Sequence, residues 1–276
     1  MRDVAGKVAV ITGGASGIGL GMARAFAGEG MKLALADIDE ERLSNTVRSL
    51  RSAGVTVVGM PTDVADRASV DGLASAAVEQ YGAVHLLCNN AGGPLPRSVA
   101  EVTRGDFDRV LGVNLYGVIH GIQAFLPIME SQGEGHINAT SSMSGLLAFP
   151  PVVTYSVAKF GVIALMETLA RELRDSGSDI EVSVLCPAET ATDVVQNSMA
   201  NARMSGYEPS PDELTYVEAA HAGLTGAGMD PDEVGRIAFE GIRDARFWIF
   251  SHPHLIEGPI RERFEAMAAD GNLPDF

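Results

Sequence analysis

Cysteine is nearly absent from this 276-residue chain: Cys88 and Cys186 are its two, and each sits inside an apolar run that reads as a buried strand. A disulfide framework needs more cysteines and an exported context, so both thiols read as core groups. No Cys/His cluster has the spacing of metal ligands, and no metal is expected. Basic residues are scarce too. Lys plus Arg number 20 against 36 Asp plus Glu, for a formal net charge of -16. Such a surface repels phosphate backbones and anionic headgroups, so no nucleic acid and no membrane is expected as a partner. No run of about 18 apolar residues suggests a membrane span. The apolar stretch after Lys7 is too short for a signal peptide, and a cytoplasmic location is expected.

What is abundant is apolar sequence, 46% of the chain, in a regular rhythm. Runs at 8–12, 31–37, 55–60, 84–90, 135–141 and 180–187 are apolar or β-branched almost throughout, as in strands covered on both faces. Helical patterns lie between them at about 17–29, 39–53, 66–81, 106–132 and 152–175, and 247–250 reads as a last strand behind the helix start Asp230-Pro231. The alternation predicts an α/β fold: one domain over 1–276, a doubly wound parallel sheet of Rossmann type with helices on both faces. Two stretches break the rhythm: an insertion at 193–229, long enough to be a functional lid, and a tail at 251–276 with one amphipathic helix.

TGGASGIG (12–19) joins the first strand to the first helix. There Gly13 serves a tight turn, Gly17 the approach of a pyrophosphate, and Gly19 close packing of helix on strand. Free N–H groups at the helix start would hold the anion. Asp37 ends the second strand, eighteen residues after Gly19, where a carboxylate accepts both ribose hydroxyls and repels a 2′-phosphate. NAD is therefore expected over NADP, since neither Ala15 nor Ser16 supplies a cation. Asp39 is better placed than Asp37 to cap the next helix. Asp63 and Asn89-Asn90-Ala91-Gly92 follow the third and fourth strands, at the strand ends that line ligand crevices; turn chemistry is their alternative reading.

Tyr155 and Lys159 open a helical segment at a spacing of i, i+4, which puts phenol and ammonium on one face, about 5–6 Å apart at Cβ. A neighbouring positive charge favours phenolate and suits the tyrosine to general acid–base work near neutral pH. Alone the pattern is weak. Its company is TGGASGIG, Asp63, NNAG (89–92), Asn114, Ser142 and YSVAK (155–159), and in this order over about residues 4–192 the chain resembles the short-chain dehydrogenase/reductase family.

The resemblance implies an NAD-dependent alcohol dehydrogenase or ketone reductase. By it Ser142 hydrogen-bonds the substrate oxygen, with Ser141 the competing choice, and Tyr155 exchanges the proton. Lys159 holds the nicotinamide ribose and lowers the Tyr155 pKa. Asn114 anchors a relay water or, alternatively, satisfies an irregular helix backbone. It also implies cofactor contacts at Ser16, Ile18, Ile38, Val64, Ala91, Gly92 and Pro187, and a contact with the nicotinamide carboxamide at Thr192, with Thr190 second. Ala188 departs from the family's Pro-Gly, which puts the local backbone in doubt. Homodimers or homotetramers are implied through the helices at 106–132 and 152–175.

The substrate expected is a bulky apolar or aromatic secondary alcohol or ketone. Met199, Met204 and Tyr207 of the insertion, and Gly145, Leu146, Leu147, Phe149 and Val153, are its candidate contacts. No Lys or Arg occurs in 144–158 and only Arg203 in 193–229, which disfavours a strongly anionic substrate. The tail is similar to that of a subgroup that includes Cα-dehydrogenases of aryl ethers. A steroid or polyol dehydrogenase, an NAD-using epimerase and a non-catalytic NAD-binding protein are the alternatives.

Overall fold

Seven parallel strands form one sheet, in the order β3-β2-β1-β4-β5-β6-β7, in a computed structural model that describes residues 3–274. The strands are β1 (Val8–Thr12), β2 (Lys32–Asp37), β3 (Val57–Pro61), β4 (Leu86–Asn89), β5 (Gly135–Thr140), β6 (Ile180–Cys186) and β7 (Trp248–Phe250). The first helices are α1 (Gly17–Gly28), α2 (Glu40–Ser52), α3 (Arg67–Tyr81), α4 (Arg104–Leu111) and α5 (Gly117–Gln132). They are followed by α6 (Val153–Asp175), α7 (Val194–Met204), α8 (Pro211–Ala227), α9 (Pro231–Arg243) and α10 (Arg261–Ala268). Strand order reverses between β1 and β4, which opens a crevice at their C-terminal ends.

β1 is buried at all five positions, as a central strand must be when helices cover both faces. Its side chains alternate between two cores. Val10 joins Leu87, Ile137 and Ala139 under α3, α5 and α6, whereas Ala9 and Ile11 join Leu35, Cys88 and Leu185 under α1, α2 and α9. Helix starts are fixed locally. Asp39 accepts the Arg42 N–H, Asp66 that of Ala68, and Asp230 that of Asp232 behind Pro231. Reciprocal capping boxes, Thr103 with Asp106 and Ser210 with Glu213, open α4 and α8.

The insertion at 193–229 folds as α7 and α8, and the tail as a five-residue π-helical turn, Ile256–Ile260, running into α10. The helical stretches Arg104–Gln132 and Val153–Asp175 are long and apolar enough to cross a membrane by length and mean hydropathy, contrary to the sequence expectation. Here their apolar side chains, among them Phe125, Met129, Val162 and Met166, pack in the core beneath the sheet.

Candidate active site

The crevice between β1 and β4 is built from short loops at strand ends. Gly13 (φ +63°) and Gly17 (φ +51°) hold left-handed conformations that side chains disfavour. A Cβ on Gly19 would strike the Gly13 carbonyl, so helix and turn meet only because neither carries a side chain there. Ser16 caps α1 without a side-chain hydrogen bond, and no acidic residue lies in its first turn. The helix N-terminus is thus left as an anion cradle, and it fits a pyrophosphate.

Asp37 is held rather than free. Its Oδ2 accepts the Ala15 N–H at 3.2 Å and its Oδ1 the Asp39 N–H at 3.1 Å, which fixes the carboxylate beside the glycine turn. Ile38 follows it, 54% exposed. Asp63 is exposed and its Oδ1 accepts the Ala65 N–H, while Val64 is buried. Asn90 stitches the turn to the sheet: Nδ2 donates to the Thr12 and Gly13 carbonyls, and Oδ1 accepts from Thr140 Oγ1. Thr12, which sequence reasoning passed over, accepts the Asn90 and Ala91 N–H groups on Oγ1. Its place at the end of β1 was the available signal.

The residues expected to carry the chemistry converge at the far end. Ser142 sits in the turn after β5, Tyr155 and Lys159 on the first turns of α6, and the Ser142 hydroxyl stands beside the Tyr155 phenol. Ser141 is buried, and its hydroxyl donates to the Lys159 carbonyl. Geometry therefore favours Ser142 of the two serines. Lys159 Nζ donates to the Thr140 carbonyl at 2.8 Å and lies 5.4 Å from the Tyr155 ring centre.

The electrostatics depart from the sequence expectation. Burial pushes the Tyr155 phenol up to about 12, and the neighbouring Ser142 hydroxyl only partly offsets it. Burial also lowers Lys159 to about 8. The ammonium that was to depress the phenol pays its own desolvation, so the i, i+4 spacing alone does not produce a low phenol pKa.

Asn114 stands in a π-helical turn, Gly112–Tyr116, between α4 and α5. Its Oδ1 accepts the Gly93 N–H, and its Nδ2 donates to the Gly93 and Val110 carbonyls. The side chain is thus engaged with backbone and ties the loop after β4 to the irregular helix. A Cβ on Gly92 would collide with Asn114 Oδ1 and lie 3.3 Å from Lys159 Nζ, which brings that loop against the lysine.

Residues 187–192 bridge the two ends. The Pro187 carbonyl accepts the Met143 N–H beside the Ser142 turn, and Thr192 lies against Gly17, 3.1 Å from where a Cβ would stand. Thr190 is buried and its hydroxyl donates to the Ala188 carbonyl. Ala188 is not among the residues of positive φ, so the missing glycine leaves no strain.

Several expected substrate contacts lie elsewhere. Leu146 and Leu147 are buried in the core under α5 and α6, and Met204 is 88% exposed. Met199 and Tyr207 do pack near the site, in an apolar cluster with Leu95, Val110, Val195 and Val217 that reaches Tyr155. Beneath the insertion lie two cations. Arg97 makes a two-pronged ion pair with Glu213, at 2.8 and 3.2 Å, and with Arg109 flanks the Tyr207 ring. Arg97 and Glu213 are 116 residues apart, and no local pattern announces the pair.

The chain belongs to the short chain dehydrogenase family, whose description matches residues 7–203. A short chain dehydrogenase/reductase from Burkholderia phymatum, solved in complex with NAD, superposes with a TM-score of 0.94 at 39% identity, covering 100% of this chain and 99% of that one. A CLA biosynthesis dehydrogenase/reductase from Lactiplantibacillus plantarum is 32% identical over 100% of this chain and 97% of its own. A C alpha-dehydrogenase from a Sphingobium species is 33% identical over 97% and 87%.

Proposed function

We propose that the chain transfers hydride reversibly between NAD and a secondary alcohol or ketone, with Tyr155 moving the proton. The observation that carries this reading is the Ser142 hydroxyl beside the Tyr155 phenol, with Lys159 next to them, at the end of the glycine-lined crevice. When bound, the nicotinamide supplies or takes the hydride, and its oxidised ring adds a positive charge near the phenol. Ser142 holds the substrate oxygen and Tyr155 gives or takes the proton at Oη. Lys159 has donors beyond the one spent on Thr140 and serves the ribose. Asp37 takes the adenosine ribose hydroxyls, and the NAD complex of the Burkholderia relative agrees with that preference.

The substrate class we assign is bulky and apolar or aromatic. The insertion at 193–229 acts as its lid, and the apolar cluster around Met199 and Leu95 that touches Tyr155 supports this. Arg97 does not alter that reading, because Glu213 neutralises it. The lid and the 251–276 tail belong to one catalytic domain, paired into a homodimer or homotetramer through α4–α6, where Tyr116 and Val157 are exposed.

Initial rates of NADH formation over aryl, steroid and polyol alcohols test the whole reading. Turnover is expected with bulky apolar alcohols, and only with Tyr155 intact. A response to polyols alone would overturn the substrate class, and full turnover by Tyr155→Phe would overturn the chemistry.

A further inference from the structure

The residues just past β7 reach back into the site. Ser251 is 2% exposed, and its Oγ accepts the Ala188 N–H at 3.2 Å. The same oxygen lies 2.7 Å from His252 Nδ1. Burial, the largest influence on His252, lowers its pKa; Glu189 opposes this and His254 adds to it, so the ring is neutral at neutral pH. The hydrogen bond with His252 Nδ1 holds the Ser251 hydroxyl in place while its oxygen accepts the Ala188 N–H.

Ala188 belongs to the 187–192 segment that spans the crevice. Backbone hydrogen bonds hold three more of its points: Pro187 O by Met143, Glu189 O by Met229 N–H, and Ala191 N–H by Met229 O. Thr190 Oγ1 closes the turn on the Ala188 carbonyl. The Ala188 N–H is thus the point at which the C-terminal segment grips the loop, through a side chain and at a position where any residue with a backbone N–H would serve.

We infer that Ser251 is a positioning residue for the nicotinamide half of the cofactor: its hydroxyl, oriented by His252, holds the Pro187–Thr192 loop in its binding shape. The inference rests on the proposed use of NAD and goes beyond it by assigning a role to the segment after β7. Ser251 grips the loop at Ala188, next to the Pro187 carbonyl that Met143 holds beside the Ser142 turn, whereas the contact of the loop with the glycine turn is made at its other end, by Thr192 on Gly17.

The experiment is a pair of binding titrations, with NAD and with ADP-ribose, which keeps the adenosine diphosphate and lacks the nicotinamide. Ser251→Ala is expected to weaken NAD about fivefold, the loss of one ordinary hydrogen bond, and to leave ADP-ribose within about twofold. Equal weakening of both ligands would show a general structural role and overturn the inference, as would unchanged NAD affinity. His252→Ala, in a half-buried ring, is the second variant and decides the matter if Ser251→Ala does not fold. There NAD weakens about twofold with ADP-ribose unaffected, and no difference between the two ligands overturns the inference. A wild-type chain that binds ADP-ribose but not NAD would instead count against the proposed function.

Discussion

The Ser142 hydroxyl stands beside the Tyr155 phenol and lowers its pKa, yet burial holds the phenol at about 12, against an ordinary value of 10. The sign matters for catalysis. Alcohol oxidation needs the phenolate and ketone reduction the phenol, so a raised pKa leaves the resting tyrosine in the form that reduces. Initial rates of oxidation should therefore keep rising with pH up to about 12, while reduction stays level until the pH nears that value. Tyr155→Phe should lower both by roughly 10²–10⁴-fold with little change in NAD affinity. A flat oxidation profile would remove Tyr155 as the titrating group.

Asp37 is the second lever. Its two oxygens are fixed by the Ala15 and Asp39 N–H groups, so the carboxylate is preorganised for ribose hydroxyls. The nearest guanidinium on α2, Arg42, is engaged by Asp39 at 3.1 Å and by Asn197 of the insertion at 3.3 Å. Asp37→Ala removes a charge-assisted acceptor and the repulsion of a 2′-phosphate together. The ratio of kcat/KM for NAD to that for NADP should fall about 10- to 100-fold. An unchanged ratio would return Asp37 to a purely structural part.

Tyr155 was legible in the sequence because Lys159 follows it by four residues in the company of the family motifs, and Asp37 because it closes a strand written in the apolar rhythm. The same holds for the glycine turn and for Asp39 as a helix cap. What could not be read is what depends on distance through the fold. Leu146 and Leu147 come four and five residues after Ser142, yet the turn folds them into the core. Tyr207 reads as a pocket aromatic, but its hydroxyl donates to Glu213 at 2.6 Å. The Lys159 charge read correctly as a neighbour of Tyr155, while its desolvation became visible only with its burial.

Gly21 and Gly235 carry a stability prediction that only the fold reveals. A Cβ on Gly21 would run into the Pro231 carbonyl, and one on Gly235 into the Gly21 backbone, so α1 and α9 touch main chain to main chain. Gly21→Ala should cost roughly 2 kcal/mol by overpacking, seen as a Tm lower by several degrees. Gly28→Ala, at the exposed end of the same helix with nothing within 4 Å of its Cβ, should be neutral or stabilising by up to about 1 kcal/mol. Equal effects of the two would mean that the helices separate freely at that crossing.

Arg97 and Glu213 tie the insertion to the body. Glu213 accepts from Arg97, from the Tyr207 hydroxyl and from the Ser210 N–H. Burial raises its carboxyl, but these donors, Arg97 foremost, outweigh it and hold the pKa at about 2. A folded-state value below the ordinary 4.5 means that the stabilisation is complete above about pH 4.5 and is lost as pH falls towards about 2. The Glu213 side chain is 9% exposed, so Arg97→Ala strands a nearly buried carboxylate and should cost about 3 kcal/mol. Replacing both partners, Arg97→Met with Glu213→Leu, should recover part of that loss, since only Asp106, which keeps the Thr103 N–H and hydroxyl as donors, then lacks its cation. Thermal denaturation measures the cost, and hydrogen exchange locates it: amides of α7 and α8 should exchange faster in Arg97→Ala while those of β1 and β4 do not. Protection unchanged in α7 and α8 would mean that the apolar cluster around Met199 alone holds the insertion down.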